Sequence, residues 1–399
     1  MSNSYDLIVV GGGSIGLSTA YHASRRGLRV LVLEKYGVLN DNGSSAGASR
    51  QFRLQYAQQY MSELALASQN FWAELQSHSN STLVRQNGSL WFGDPSLSSQ
   101  EGGIKAAENV MDTLKIPYTP LNAKQIQNQY AFKDLPKNYE GFFQPNGGII
   151  NLKATEQALY DAAVTSGVHI HEFEEVTNIQ SFDSGEIIIT SAIAEYSCEK
   201  LAICTGAYAN ETLKHLGLGL DINIWQMSSA YFRKTNPELQ LPTWFVFQKP
   251  QESALFYGFP EVEWSHGGYI RVATDFPDKI LSDPCERTFI PSRKNLALDS
   301  EWVANHMTGL DPTPRFTATC LIALAKNQNK ELLLDYAPST IPNHKNIVTY
   351  TAGWAAKYIP ILGDMINQML NDGVTEFDYG KYKIAQENFK IDWDKEAKN

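Results

Sequence analysis

The sequence predicts an α/β fold in which a dinucleotide-binding domain, built on a parallel sheet, is interleaved with a second domain carrying a mixed or antiparallel sheet. Three observations carry the prediction. Residues 5–35 read strand, glycine turn, helix, strand and acid within about thirty residues. A late apolar strand, 200–204, runs into Thr205-Gly206-Ala207. Residues 220–330 then turn rich in aromatic and β-branched side chains, the composition of a separate antiparallel sheet. At 399 residues the chain has room for two such domains.

Residues 7–10 (Leu-Ile-Val-Val) form the short apolar run of a buried parallel strand. Gly11, Gly13 and Gly16 follow as G-x-G-x-x-G: the first permits the tight turn, the second lets backbone approach a pyrophosphate, the third lets helix pack on strand. A helix is expected over 14–26, so Ser14 and Ile15 lie in the first turn, whose free N–H groups suit phosphate. The second strand, 30–33, ends at Glu34, placed to accept hydrogen bonds from a ribose, with Lys35 beside it. This unit alone does not separate NAD from FAD. Residues 43–53, GSSAGASRQFR, are small and polar and then offer Arg50 and Arg53. If 49–54 begins a helix, both arginines point to one side, where paired guanidinium groups suit an anionic substrate or a flavin edge; two exposed helix arginines are the alternative.

An amphipathic helix is expected over 61–75, with Leu64, Leu66, Phe71, Trp72 and Leu75 available to bury. Strands are expected at 88–92, 168–172, 186–190 and 200–204, and a helix at 153–166. The second sheet draws on 230–232, 244–247 and 269–273; a strand at 347–351 and a helix at 359–370 return to the first domain. The expected division is 1–85, 150–219 and 331–380 for the dinucleotide domain and 86–149 with 220–330 for the substrate domain. Residues 381–399 form a polar tail with isolated aromatics, packed on the surface.

A net charge of −10 argues against nucleic acid and an anionic membrane surface as partners. No apolar stretch approaches the ~20 residues that span a bilayer, and the start lacks the pattern of a secretory signal. Four cysteines without a C-x-x-C pair point to a reduced, cytoplasmic setting and to no metal site. The pair His169 and His171 alternates onto one face of a strand and is read as structural. Among the remaining histidines His266, just before the 269–273 strand, is the one nearest a site of interest.

Five segments, in order, resemble the monomeric sarcosine oxidase and N-methyltryptophan oxidase branch of the D-amino-acid-oxidase superfamily of FAD enzymes. They are the glycine unit; GSSAGASRQFR; Tyr257-Gly258-Phe259-Pro260; Cys320 with the following ELLLD at 331–335; and Ala352-Gly353-Trp354-Ala355-Ala356-Lys357-Tyr358. The resemblance implies a glutathione-reductase-type FAD-binding domain. It implies that Arg53 and Lys357 clamp a substrate carboxylate, that Arg50 lies near the flavin, that Tyr257 lines the pocket, and that Cys320 carries the flavin through a thioether. Ser44, Ser49, Val176, Thr205, Gly206, Gly353 and Trp354 complete the implied cofactor contacts, with Lys357 shared between cofactor and substrate. The helix after Lys357 would direct its N-terminal dipole at the flavin.

This chain departs from the family at positions near the reacting atoms. Trp354 stands where the family has histidine, Arg271 where it has the lysine that activates oxygen, Asp275 where it has a second histidine, and Ile322 where it has tyrosine. The implied activity is an FAD-dependent amine oxidoreductase. It would oxidise the C–N bond of an amino acid or N-alkyl amino acid to an imine by hydride transfer to flavin N5, with O2 returning the flavin to its oxidised state and leaving as H2O2. The alternative is a flavoprotein that modifies a partner protein, maturing a protein-derived quinone cofactor, or that acts on a biosynthetic intermediate.

Overall fold

The computed structural model describes residues 3–99, 102–250, 255–326 and 331–393. Strand β1 (Ser4–Val10) pairs in parallel with β2 (Val30–Leu33) on one side and with Glu195–Ile203 on the other. His169–His171 extends the sheet beyond β2, and Ile347–Thr351 joins Glu195–Ile203, both in parallel register. Antiparallel strands Val176–Ser181, Ile187–Ser191 and Leu333–Tyr336 complete an eight-stranded sheet. The strands at its centre are buried on both faces, which is why they read as unbroken apolar runs.

Helix α1 (Ser14–Arg25) packs against the closing helix Ile359–Asp372; Ser18 Oγ donates to the carbonyl of Pro360 at 3.2 Å and Asn367 Nδ2 to that of Thr19 at 2.9 Å. The second sheet has nine strands around the long pair Ile222–Lys234 and Leu310–Ala325. It is mixed: Thr243–Phe247 runs parallel to Ser89–Gly93 and antiparallel to Phe256–Phe259. The two-sheet α/β architecture is the one expected from the sequence.

One expected element is corrected. Residues 49–52 are not a helix but strand β3 (Ser49–Phe52), antiparallel to Gly148–Asn151 with Arg50 opposite Ile150. Pairing in a three-stranded sheet with Gly148–Asn151 and Val84–Arg85 overrides any local helical preference. In extended chain, residues three apart face opposite sides, so Arg50 and Arg53 diverge. Helix α2 (Gln59–Ser77) extends the expected 61–75 helix at both ends.

The C-terminal stretch docks as a hairpin, Glu376–Tyr379 with Tyr382–Ala385, rather than as a plain polar tail. Phe377, Ile384 and Phe389 enter the main core, and Asp335 accepts hydrogen bonds from Gln386 Nε2 and the Ile391 amide, each at 3.0 Å.

Candidate active site

A cavity of about 560 Å³ runs from the glycine turn to Lys357, inside the ~300–1,000 Å³ range of small-molecule sites. Its first end is made of backbone. Gly11 adopts φ +102°, and a Cβ at Gly16 would stand 1.8 Å from the Gly11 carbonyl oxygen, so the helix can approach the strand only without a side chain there. Gly11, Gly13, Ser14 and Ile15 line the wall, whereas Gly16 lies behind it as packing. Gly13 offers no side-chain cap to α1, and Ser45 Oγ approaches the Ser14 amide only at 3.4 Å, so the first turn keeps donors for a ligand. Glu34 is buried and held by the amides of Gly12 at 2.6 Å and Tyr36 at 2.8 Å; burial nonetheless keeps its carboxyl above the usual range. Lys35 pairs with Glu175 at 2.9 Å and Glu211 at 3.3 Å, and Val176, Thr205 and Gly206 close this end.

Between the two ends lies the loop before β3. Arg50 donates to the carbonyls of Ser44 at 2.6 Å, Ala46 at 2.7 Å and Ser49 at 2.8 Å, so it fastens the loop while lining the cavity along with Ser44. Ser49 is buried outside the lining; its hydroxyl accepts from Trp264 Nε1 at 3.1 Å and its carbonyl from Arg271 at 3.0 Å.

The second end is made of side chains from distant segments. Tyr257, Arg271, Cys320, Gly353, Trp354 and Lys357 all face it, with Phe245, Phe259, Gln51 and Asp275, and Ile322 also lies on the lining. Arg271 is only 7% exposed, and its guanidinium lies 4.9 Å from the Phe259 ring centroid. Burial pushes the Tyr257 hydroxyl up to about 12, so it stays protonated at neutral pH. Cys320 is a free thiol, set in register opposite Met227. Lys357 is 4% exposed on the turn Ala356–Tyr358, immediately before the helix Ile359–Asp372. Its carbonyl is fixed by Trp72 Nε1 at 2.8 Å and Ser68 Oγ at 3.3 Å, and its ammonium lies 5.3 Å from the Tyr56 ring centroid. Arg53 is fully buried and does not line the cavity. Its guanidinium lies 4.5 Å from the same Tyr56 ring and 5.0 Å from Trp91. The two cations therefore share one aromatic ring. His169 and His171 are occupied by Tyr5 at 3.0 Å and by Glu174 at 2.9 Å, away from this end.

Sequence reasoning overlooked Tyr56, Phe245, Phe259 and Gln51. Only the two-residue alternation of TWFVF at 243–247 and FYGF at 256–259 marked the phenylalanines as sharing a sheet face.

Residues 6–369 match the family of FAD dependent oxidoreductases known as DAO. The chain belongs to that family. FAD is its cofactor, and the residues present fit it: the first-turn amides of α1 would hold the phosphates, Glu34 would face the ribose, and the cavity continues to Lys357. NikD, a solved structure described as an unusual amino acid oxidase essential for nikkomycin biosynthesis, is 35% identical. It superposes with a TM-score of 0.87 over 95% of this chain and 97% of its own. A putative bifunctional amine oxidase of Dictyostelium discoideum is 32% identical over 97% of this chain, which spans 38% of that protein's length. Monomeric sarcosine oxidase of a Bacillus strain is 24% identical over 98% of this chain and 99% of its own. Among the described residues no helix is long and apolar enough to cross a membrane.

Proposed function

We propose that the protein oxidises the C–N bond of an amino acid or N-alkyl amino acid to an imine, which water then hydrolyses. The observation that carries this reading is the placement of Lys357 and Arg271 at the end of the cavity remote from the dinucleotide turn, among Tyr257, Phe245 and Trp354. The Lys357 ammonium binds the substrate carboxylate, and Arg53 supports it from behind the Tyr56 ring, an arrangement less direct than a two-pronged clamp. Tyr257, Trp354 and the two phenylalanines exclude water and hold the carbon skeleton. FAD, when bound, takes up the hydride and delivers the electrons to O2, which leaves as H2O2. Arg271 keeps a permanent positive charge where the family carries an ammonium, and Cys320 is the residue available for a covalent flavin linkage.

A biosynthetic intermediate as substrate is supported by the 35% identity to NikD. Four free cysteines, one of them exposed, favour a reducing compartment such as the cytoplasm. Anaerobic mixing with a panel of amino acids, N-methyl amino acids and cyclic imino acids, following loss of flavin absorbance, tests the proposal. Bleaching by carboxylate-bearing amines is expected. If none of them reduces the flavin, the reading is wrong.

A further inference from the structure

Glu156 is a buried carboxyl on the cavity wall, away from the reacting end. It lies in the opening turns of the helix Leu152–Thr165, is 1% exposed, and lines the cavity. Its carboxyl engages the Ser45 hydroxyl. Ser45 Oγ in turn stands 3.2 Å from Ser14 Oγ and 3.4 Å from the Ser14 amide, in the uncapped first turn of α1. One hydroxyl therefore separates this carboxyl from the Ser14 amide, in the turn that would hold the pyrophosphate.

The charges around it are committed elsewhere. Oε2 of Glu156 accepts no hydrogen bond among the described residues, and the nearest ammonium, Lys153 on the same helix, is 3.7 Å away. That ammonium pairs with Asp41 at 3.0 Å and donates to the carbonyls of Leu39 at 2.9 Å and Asn40 at 3.3 Å. Arg50 faces Glu156 from β3 but spends its hydrogen bonds on three loop carbonyls, and Asp41 adds a second negative charge from the preceding loop. Burial, which outweighs Ser45, Lys153 and Arg50, raises the carboxyl to about 7.

We propose that Glu156 is a cofactor-binding residue that acts as a neutral acid behind Ser45 and couples FAD binding to uptake of a proton. An ionised carboxylate buried one hydroxyl away from the Ser14 amide would repel phosphates bound at the first turn of α1 with little screening; the protonated acid removes the repulsion. The proton comes from solvent and rests on Glu156. Below the free protein's pKa the acid is already neutral, so binding takes up nothing. Above it, binding must protonate the carboxylate, and FAD affinity falls by up to about tenfold per pH unit. This holds whichever amine is oxidised.

The test is calorimetric titration of flavin-free protein with FAD, in a Cys320→Ser background so that no linkage traps the cofactor. It is run at about pH 6 and about pH 8.5, in two buffers of different ionisation heat that count protons. The expected result is uptake approaching one proton per FAD at the higher pH and almost none at the lower. Glu156→Gln should take up none and bind equally well at both. Ser45→Ala, which cuts the link to α1, should reduce the uptake without mimicking a charge change. Absence of proton uptake by the parent protein at the higher pH, or the same uptake in Glu156→Gln, would overturn the proposal.

Discussion

The two ends of the cavity are built in opposite ways. The dinucleotide end is mostly backbone: Gly11 and the α1 amides, with the single Glu34 carboxylate, sit within one contiguous segment held by local geometry. The other end is side chain: Lys357, Arg271, Tyr257, Trp354 and Cys320 come from four separated strands and turns. Lys357 depends on α2 through its carbonyl, and Arg271 depends on the Ser49 carbonyl of β3. A site made largely of backbone depends most on its glycines and on the few side chains beside them, whereas a site made of side chains is sensitive at each one.

The largest effect should therefore come from a glycine. Gly16→Ala places a methyl group 1.8 Å from the Gly11 carbonyl oxygen, so either the turn or α1 must move. The expected product is colourless protein with a lowered melting temperature, and a variant that purifies with full flavin content would show that this end yields more than the geometry allows.

At the opposite end, Lys357→Ala removes a buried charge-assisted contact, for which a loss of about 2–3 kcal/mol, or roughly a hundredfold in kcat/KM, is expected. Most of the loss should appear in KM for carboxylate-bearing amines. Arg53→Ala should lower the melting temperature as well, because it leaves a hole beside Tyr56 and Trp91; an unchanged KM in that variant would remove Arg53 from substrate binding.

Smaller effects sharpen the contrast. Glu34→Gln keeps the shape but weakens the acceptor to the ribose and to the Gly12 and Tyr36 amides, and should loosen FAD by about tenfold. A fluorescence titration reads this directly. Cys320→Ser should leave the substrate constants nearly as they were and move flavin from the acid-precipitated pellet to the supernatant. Flavin already in the supernatant of the parent protein would dispose of the covalent link.

The dinucleotide end was legible because its chemistry and its sequence are neighbours: strand, glycines, helix and acid follow one another, and each constraint acts over a few residues. The β3 strand was not legible. Ser49-Arg50-Gln51-Phe52 carries no strong preference of its own, and its state was decided by Gly148–Asn151, a segment remote in sequence. Arg53 shows the consequence, since its placement behind Tyr56 follows from an extended chain rather than from helical spacing. Glu156 carries no sequence signal, because its contact with Ser45 depends on how the helix Leu152–Thr165 packs against a loop more than a hundred residues earlier.

The sequence by itself determined the fold class and the dinucleotide end, because periodicity and glycine chemistry are local properties, and its resemblance to the family ordered the segments that line the cavity. Only the tertiary structure decided which charges are buried, which line the cavity and which stand behind an aromatic ring. Desolvation and cross-chain pairing depend on neighbours that the linear order does not bring together.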